Sequence, residues 1–232
     1  MSIAQYGLYD KIHTERDVLK EKLAYGSELT GQYGFPYLPP VRANLDGLKK
    51  LKAVSFQKAT KEKRPKEAVC HFFADDYIFE RVWNDTDRYL EMLSYFKYVC
   101  SPDFSIYSQM PLTLQIYNTY RNRAVANYLT ANGLSVIPTV SWCDKESYEW
   151  CFDGLPHSST LAVSTNGCFF ESGIKAFQDG FKAMCDTLEP YNVLIIGREL
   201  PLPGVNVDVV YMESEGQITE KKSKEVLENG RS

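Results

Sequence analysis

Tyr-Val-Cys-Ser-Pro-Asp-Phe-Ser at 98–105, Ile-Tyr-Asn-Thr-Tyr-Arg-Asn-Arg at 116–123 and Leu-Ser-Val-Ile-Pro-Thr-Val-Ser-Trp at 134–142 decide how this chain folds. The first and third open as apolar runs of strand length. Between them the pattern predicts one long helix: Pro111 stands at its start, apolar residues continue through Leu129, and Asn132-Gly133 stops it. Strand, helix and strand in that order make one crossover unit of a parallel sheet. Polar residues gather where each strand ends, and apolar strands need no Asp, Ser, Thr and Trp at one end in order to fold. The stretch therefore predicts a site as well as a topology.

Outward from it, the same unit repeats. Apolar runs occur at 69–73, 98–101, 134–140, 160–165 and 192–197, starting 29, 36, 26 and 32 residues apart. Their unbroken Val/Ile/Leu character suits parallel strands covered on both faces. Residues 171–188 read as a second good helix ended by Pro190, with shorter helices expected at 76–93 and 145–152. A sixth strand at 207–212 follows a Pro/Gly-rich turn and is expected to pair antiparallel or to lie at an edge. The fold class expected is α/β: a mostly parallel sheet with crossover helices, partial or TIM-barrel-like, the alternative being an open three-layer α/β sheet.

Three regions follow. Residues 1–68 form an N-terminal extension with a short helix at 11–25 (Ile12, Val18, Leu19 and Leu23 inward), a Gly/Pro-rich loop at 31–40 and a basic connector. Residues 69–212 form the α/β core, and residues 213–232 a polar tail. Between Lys49 and Lys66 there are eight Lys or Arg against one acid, Glu62. That segment is either a phosphate-contacting patch or a solvated connector around a short strand at 53–56.

Composition narrows the function classes. With 232 residues, 44% hydrophobic and 24% charged, the chain is globular, and a formal charge of −4 gives no overall attraction to nucleic acid or an anionic membrane. No apolar run approaches the roughly 18 residues of a spanning helix, and no signal peptide is visible. Six cysteines without a CxxC pair fit small buried hydrophobes in a reducing cytoplasm. Neither a Gly-x-Gly-x-x-Gly nor a Gly-Lys-Ser/Thr follows the first strand, so no cofactor is indicated, and the scattered His13, His71 and His157 make no zinc site.

Ligands of parallel α/β sheets bind at the carboxyl ends of the strands. Those ends carry Asp75 and Asp76, then Asp103 and Ser105, then Thr139, Ser141 and Trp142, then Ser164, Thr165, Asn166 and Gly167, then Gly197 and Arg198. Helix capping accounts for Asp75, Asp144 and Ser172 without any ligand. Asp103, held between Pro102 and Phe104, is the candidate catalytic carboxylate. Arg121 shares a helix face with Asn118 and either pairs with Asp103 or clamps an anionic ligand; Arg123 points elsewhere. The candidate ligand-binding set is Asp76, Ser105, Asn118, Arg121, Thr139, Ser141, Trp142, Ser164, Thr165 and Gly167. An acidic cluster of Asp75, Asp76 and Glu80 reads as cap and solvated helix in preference to a metal site.

Six blocks carry a family resemblance. Asp-Asp-Tyr-Ile-Phe-Glu-Arg-Val-Trp at 75–83, Ser-Pro-Asp-Phe-Ser-Ile-Tyr-Ser-Gln-Met-Pro-Leu at 101–112, Gln-Ile-Tyr-Asn-Thr-Tyr-Arg-Asn-Arg at 115–123, Val-Ile-Pro-Thr-Val-Ser-Trp at 136–142, Cys-Phe-Asp-Gly at 151–154 and Ala-Val-Ser-Thr-Asn-Gly at 162–167 resemble a family of bacterial and phage proteins known as domain of unknown function 4417. The resemblance implies a mobile-element origin (phage, prophage or plasmid) and no assigned activity. Three functions are compatible with the residues: a cleft for a small polar molecule, nucleotide- or phosphate-type; a nucleic-acid accessory protein acting through residues 49–66; and a protein-interaction module without cleft chemistry.

Overall fold

The computed structural model describes residues 20–168, 170–214 and 216–219. The first strands of the described chain form a two-stranded antiparallel hairpin (β1 Leu29–Thr30, β2 Phe35–Pro36). Seven parallel strands follow. They are β3 (Lys52–Ser55), β4 (Ala68–His71), β5 (Tyr98–Cys100), β6 (Val136–Ile137), β7 (Thr160–Ser164), β8 (Asn192–Ile196) and β9 (Val209–Met212). Ladders join β3-β4-β5-β6 and β7-β8-β9, and a single parallel bridge from Thr139 to Ala162 links the two groups. Every strand therefore neighbours its predecessor in sequence, the order that a barrel requires.

Side-chain alternation divides the sheet into two faces. Val69, Cys100, Ile137, Ala162, Leu194 and Val210 come from six strands and share one buried cluster, with Ala53 of β3 packed against it. Strands spread over a flat sheet of this width do not share one cluster, so the sheet is curled. Ala43 and Leu48, the latter in the short helix α1 (Leu45–Leu48), pack into the same cluster, and α1 also meets β9. The alternate strand residues, among them Cys70, Val99, Leu161 and Ile195, face the larger core with the helices. Among the described residues no ladder joins β3 to β9. The fold is α/β, with a curled parallel sheet and crossover helices.

The crossover helices are α2 (Asp76–Asn84), α3 (Asp87–Ser94), α4 (Leu112–Ala131) and α5 (Glu171–Leu188). Both long ones match their expected extents; Gly133, at φ +84°, ends α4 where only glycine adopts that backbone freely. Four expectations need correction. The single helix expected at 76–93 is two, broken at Asp85 (φ −150°), where the Thr86 hydroxyl donates to the Val82 carbonyl. The segment at 145–152 holds only a 3-10 turn at Glu146–Glu149. The last strand lies at the end of the order, the edge position that is one of its two expected arrangements, but it is parallel to β8, so the antiparallel alternative falls. The parallel sheet also begins at Lys52, ahead of residue 69, because β3 pairs with β4.

The expected helix at 11–25 lies mostly outside the described residues; within them a 3-10 turn, Glu21–Ala24, buries Leu23 against α4. Of the tail at 213–232, residues 215 and 220–232 lie outside them as well.

β6 is shorter than its apolar run because Pro138 has no N–H to give the ladder. The Ser101 hydroxyl takes the place of a ladder partner, accepting from the Thr139 N–H at 2.7 Å, while the Thr139 hydroxyl donates to the Ser101 carbonyl at 2.7 Å. Past the proline the chain leans to β7: Ala162 N–H donates to the Pro138 carbonyl and Val140 N–H to the Ala162 carbonyl. The proline thus hands the sheet from one ladder to the next.

Candidate functional site

The loops after β4, β5, β6 and β7 enclose a cleft of about 490 Å³ at the carboxyl ends of the strands. Asp103, Ser141, Ser164 and Asn166 supply polar groups to its lining, and Phe73, Tyr107, Trp142 and Phe177 supply aromatic walls. Gly173 and Ala176, small residues on the facing side of α5, leave the space open.

Asp103 is half-buried, and the Ser141 hydroxyl donates to its Oδ1. Its Oδ2 accepts no hydrogen bond from any described residue. Burial pushes the carboxyl from 3.8 up to about 6; the Asp76 charge adds to the rise, and the Ser141 hydrogen bond opposes it. A carboxyl in that range changes protonation close to neutral pH.

The backbone on both sides of Asp103 is pinned. Asn122 Nδ2 donates to the Pro102 carbonyl at 2.6 Å. Phe104 is buried, and the Arg121 guanidinium lies 3.9 Å from its ring centroid. Beyond it, Asp76 accepts from Ser105 N–H (3.1 and 3.2 Å) and hydroxyl (2.8 Å), and the Ser105 carbonyl accepts from Asn118 Nδ2 at 2.6 Å. Asn118 Oδ1 accepts from Arg121 Nη2 at 2.7 Å, and Arg121 Nη1 lies 2.7 and 2.8 Å from the two Glu80 oxygens. This chain of contacts ties the β5 loop to α2 and α4. Arg121 therefore pairs with Glu80, not with Asp103, because both sit on facing helices while Asp103 points to the strand ends.

The structure separates the remaining candidates. Ser105, Ser141, Trp142 and Ser164 line the cleft with Asp103. Asp76, Asn118 and Arg121 form the scaffold just described. Thr139 is buried in the sheet junction, and Thr165 is buried with its hydroxyl donating to the Arg198 carbonyl at 2.9 Å. Gly167 turns the β7 loop at φ +87° without lining the cleft. Asp75 lines the cleft and makes no side-chain capping bond, although it stands at the N-cap of α2. Asp144 does cap, accepting from Ser147 N–H at 3.0 Å, whereas Phe170, not Ser172, precedes α5.

Trp142 is fixed on α5, where its Nε1 donates to the Ala176 carbonyl at 3.3 Å and its ring lies 5.7 Å from Phe177. A Cβ at Gly180 would stand 2.1 Å from that Nε1, so glycine is what lets the indole lie there. Sequence reading missed Phe177, Tyr107 and Phe73. The signal for the first was available: Gly173, Ala176 and Gly180 make a stripe of small residues on one helix face beside it.

Arg123 is fully buried and acts in the scaffold. It donates to the carbonyls of Cys151 (2.7 Å) and Asp153 (3.1 Å) and to Asn122 Oδ1 (2.6 Å), and burial lowers it to about 10.

Among the described residues that line the cleft there is no Lys, Arg or His. None of the described residues forms a group of three or more His, Cys, Asp or Glu suited to a metal ion. The six cysteines are free, and no described helix is long and apolar enough to cross a membrane. In the basic segment Lys49, Lys52 and Arg64 are ion-paired with Asp46, Glu62 and Glu67.

Similarity to known proteins agrees with the six blocks. The chain is 33% identical over 149 residues to the Gene 1 protein of Mycobacterium phage L5 and 35% identical over 129 residues to that of Mycobacterium phage D29. These alignments take in 62% and 55% of this chain but 65% and 48% of the phage proteins, so the chain spans less than two thirds of either relative. No solved structure matches. The family described as domain of unknown function DUF4417 matches residues 27–212, which hold the nine strands of the described residues and every cleft residue described above, and the chain belongs to that family.

Proposed function

We propose that this phage-related protein binds a small molecule in the strand-end cleft, with Asp103 as its hydrogen-bond acceptor and the group that takes a proton from it. The observation that carries this reading is a half-buried carboxylate, rigidly seated, with Oδ2 unpartnered by described residues on the lining of a cleft of about 490 Å³. That volume falls within the roughly 300–1,000 Å³ typical of ligand pockets. A carboxyl at about 6 is placed for general-base work near neutral pH. The free cysteines support a reducing compartment.

A phosphate-type ligand is not favoured. Arg121, the expected anion clamp, is taken up by Glu80, and an anion would meet Asp75 and Asp103 without a cation beside them. The test is a thermal-shift screen of neutral, cationic and anionic metabolites on the wild-type chain and on Asp103→Asn. Ligands that raise the melting temperature of the wild type but not of the variant support the reading. A full screen without any Asp103-dependent shift refutes it.

A further inference from the structure

The lining of the cleft has a one-sided hydrogen-bonding character. Asp103 Oδ2 accepts nothing from described residues, and its Oδ1 accepts only from Ser141. Asn166 directs one of its two amide N–H groups to the Phe73 carbonyl at 3.4 Å, and its Oδ1 is an acceptor for the cleft. The Asp75 carboxylate makes no capping bond. Ser164 and Ser105 spend their protons on the Ile196 carbonyl and on Asp76. Acceptors thus dominate this lining: the hydroxyls of Ser105, Ser141 and Ser164 and the Trp142 indole are already used as donors, and the Tyr107 hydroxyl and the second Asn166 amide hydrogen are the O–H and N–H donors that remain among the described side chains. A bound molecule that covers the half-buried Asp103 must bring N–H groups of its own, since an acceptor it buries unpaired costs about 1–3 kcal/mol.

The walls restrict its shape. Trp142, Phe177, Tyr107 and Phe73 offer aromatic surface, which favours a flat, weakly hydrated group over a compact ammonium with its tightly held water.

Resting on the cleft reading above, we infer that the ligand is a planar, amino-substituted nitrogen heterocycle, whose adjacent N–H groups face the Asp103 carboxylate and whose ring lies against the aromatic walls. An N–H pair of this kind matches the two oxygens of a carboxylate. Any phosphate on such a ligand lies outside the cleft, where Asp75 does not oppose it.

The test is calorimetric titration with matched probes. Guanosine is compared with inosine, which lacks the exocyclic amine, and 2,4-diaminopyrimidine with pyrimidine. Arginine amide, a hexose and a sugar phosphate complete the series. The amino-bearing member of each pair is expected to bind at least about tenfold more tightly, and Asp103→Asn, which replaces an acceptor oxygen by an N–H donor, should abolish the difference. Asp75→Asn, an exposed change that leaves the fold alone, should lower the affinity by a smaller factor.

Equal or tighter binding of inosine or pyrimidine overturns the inference, as does binding of none of the four heterocycles. If arginine amide, the hexose or the sugar phosphate then binds in an Asp103-dependent manner, the cleft reading stands and only the ligand class is wrong. If no member of the series binds, the ligand class falls, and the broader thermal-shift screen decides the cleft separately.

Discussion

Replacing Asp103 by Asn should make this protein more stable at neutral pH. Moving a carboxyl from 3.8 to about 6 means that folding disfavours its charged form by roughly 3 kcal/mol in the absence of screening. The carboxylate is half-buried and open to the cleft, so water screens part of this. A net penalty on the order of 2 kcal/mol remains. The sign follows from proton binding. Between about pH 4 and pH 6 the folded state holds more of this proton than the unfolded state, so its contribution is most favourable below that window and is lost as pH rises through it.

Asn keeps the shape, and its carbonyl still accepts from Ser141, without the buried charge. Urea denaturation of both proteins at pH 7.5, 6 and 4 should therefore show the variant more stable by about 2 kcal/mol at the highest pH, with the difference vanishing at the lowest. A variant less stable at pH 7.5, or a difference that does not change with pH, would mean that the carboxylate is not desolvated, and the assignment of Asp103 as a tuned acid–base group would fail. A gain in stability joined to a loss of ligand binding is the pattern of a functional group held at a stability cost.

Three further outcomes follow from the same contacts. Arg123→Met removes a fully buried guanidinium that makes four hydrogen bonds, two of them to the 151–153 segment, and leaves their acceptors unpaired, which should cost about 3–5 kcal/mol by chemical denaturation; a cost under 1 kcal/mol would refute its scaffold role. Gly180→Ala puts a Cβ 2.1 Å from Trp142 Nε1 and should shift the indole off the Ala176 carbonyl, with overpacking of roughly 1–3 kcal/mol outweighing the helix-propensity gain of about 1 kcal/mol. Changed tryptophan emission and weaker ligand binding would report it, and unchanged emission would refute it. In the segment 49–66, Lys49, Lys52 and Arg64 are ion-paired and Lys58 has a partner too, so any DNA binding through Lys50, Lys61, Lys63 and Lys66 should show a salt slope no steeper than about −3.6. A steeper slope in gel-shift titrations would require cations elsewhere.

The strands and long helices could be read from the chain because each rests on local chemistry. Buried parallel strands are apolar throughout, Asn132-Gly133 stops α4, and Pro190 follows the end of α5. The short strand β3 was harder, since its residues, Lys-Ala-Val-Ser, lie among lysines and only β4 gives them a partner. The split between α2 and α3 depends on one backbone turn at Asp85, and its signal is the short run Asn84-Asp85-Thr86 of turn- and cap-type residues ahead of α3.

For the site, the chain alone specifies no more than the end of the sheet on which Asp103, Ser141 and Trp142 stand, because strand polarity in a parallel sheet brings the polar ends together whatever the details. Pairing was beyond its reach. Asp103 is 18 residues from Arg121 and 38 from Ser141, and nothing in those separations says which of the two it meets. The tertiary structure decided it. Facing α2 and α4 hold Arg121 against Glu80, while Pro138 sends the chain from β6 toward β7 and brings Ser141 onto the Asp103 carboxylate. An ion pair forms between charges that packing puts in reach, and packing is a property of the whole sheet and its helices, not of any one stretch of chain.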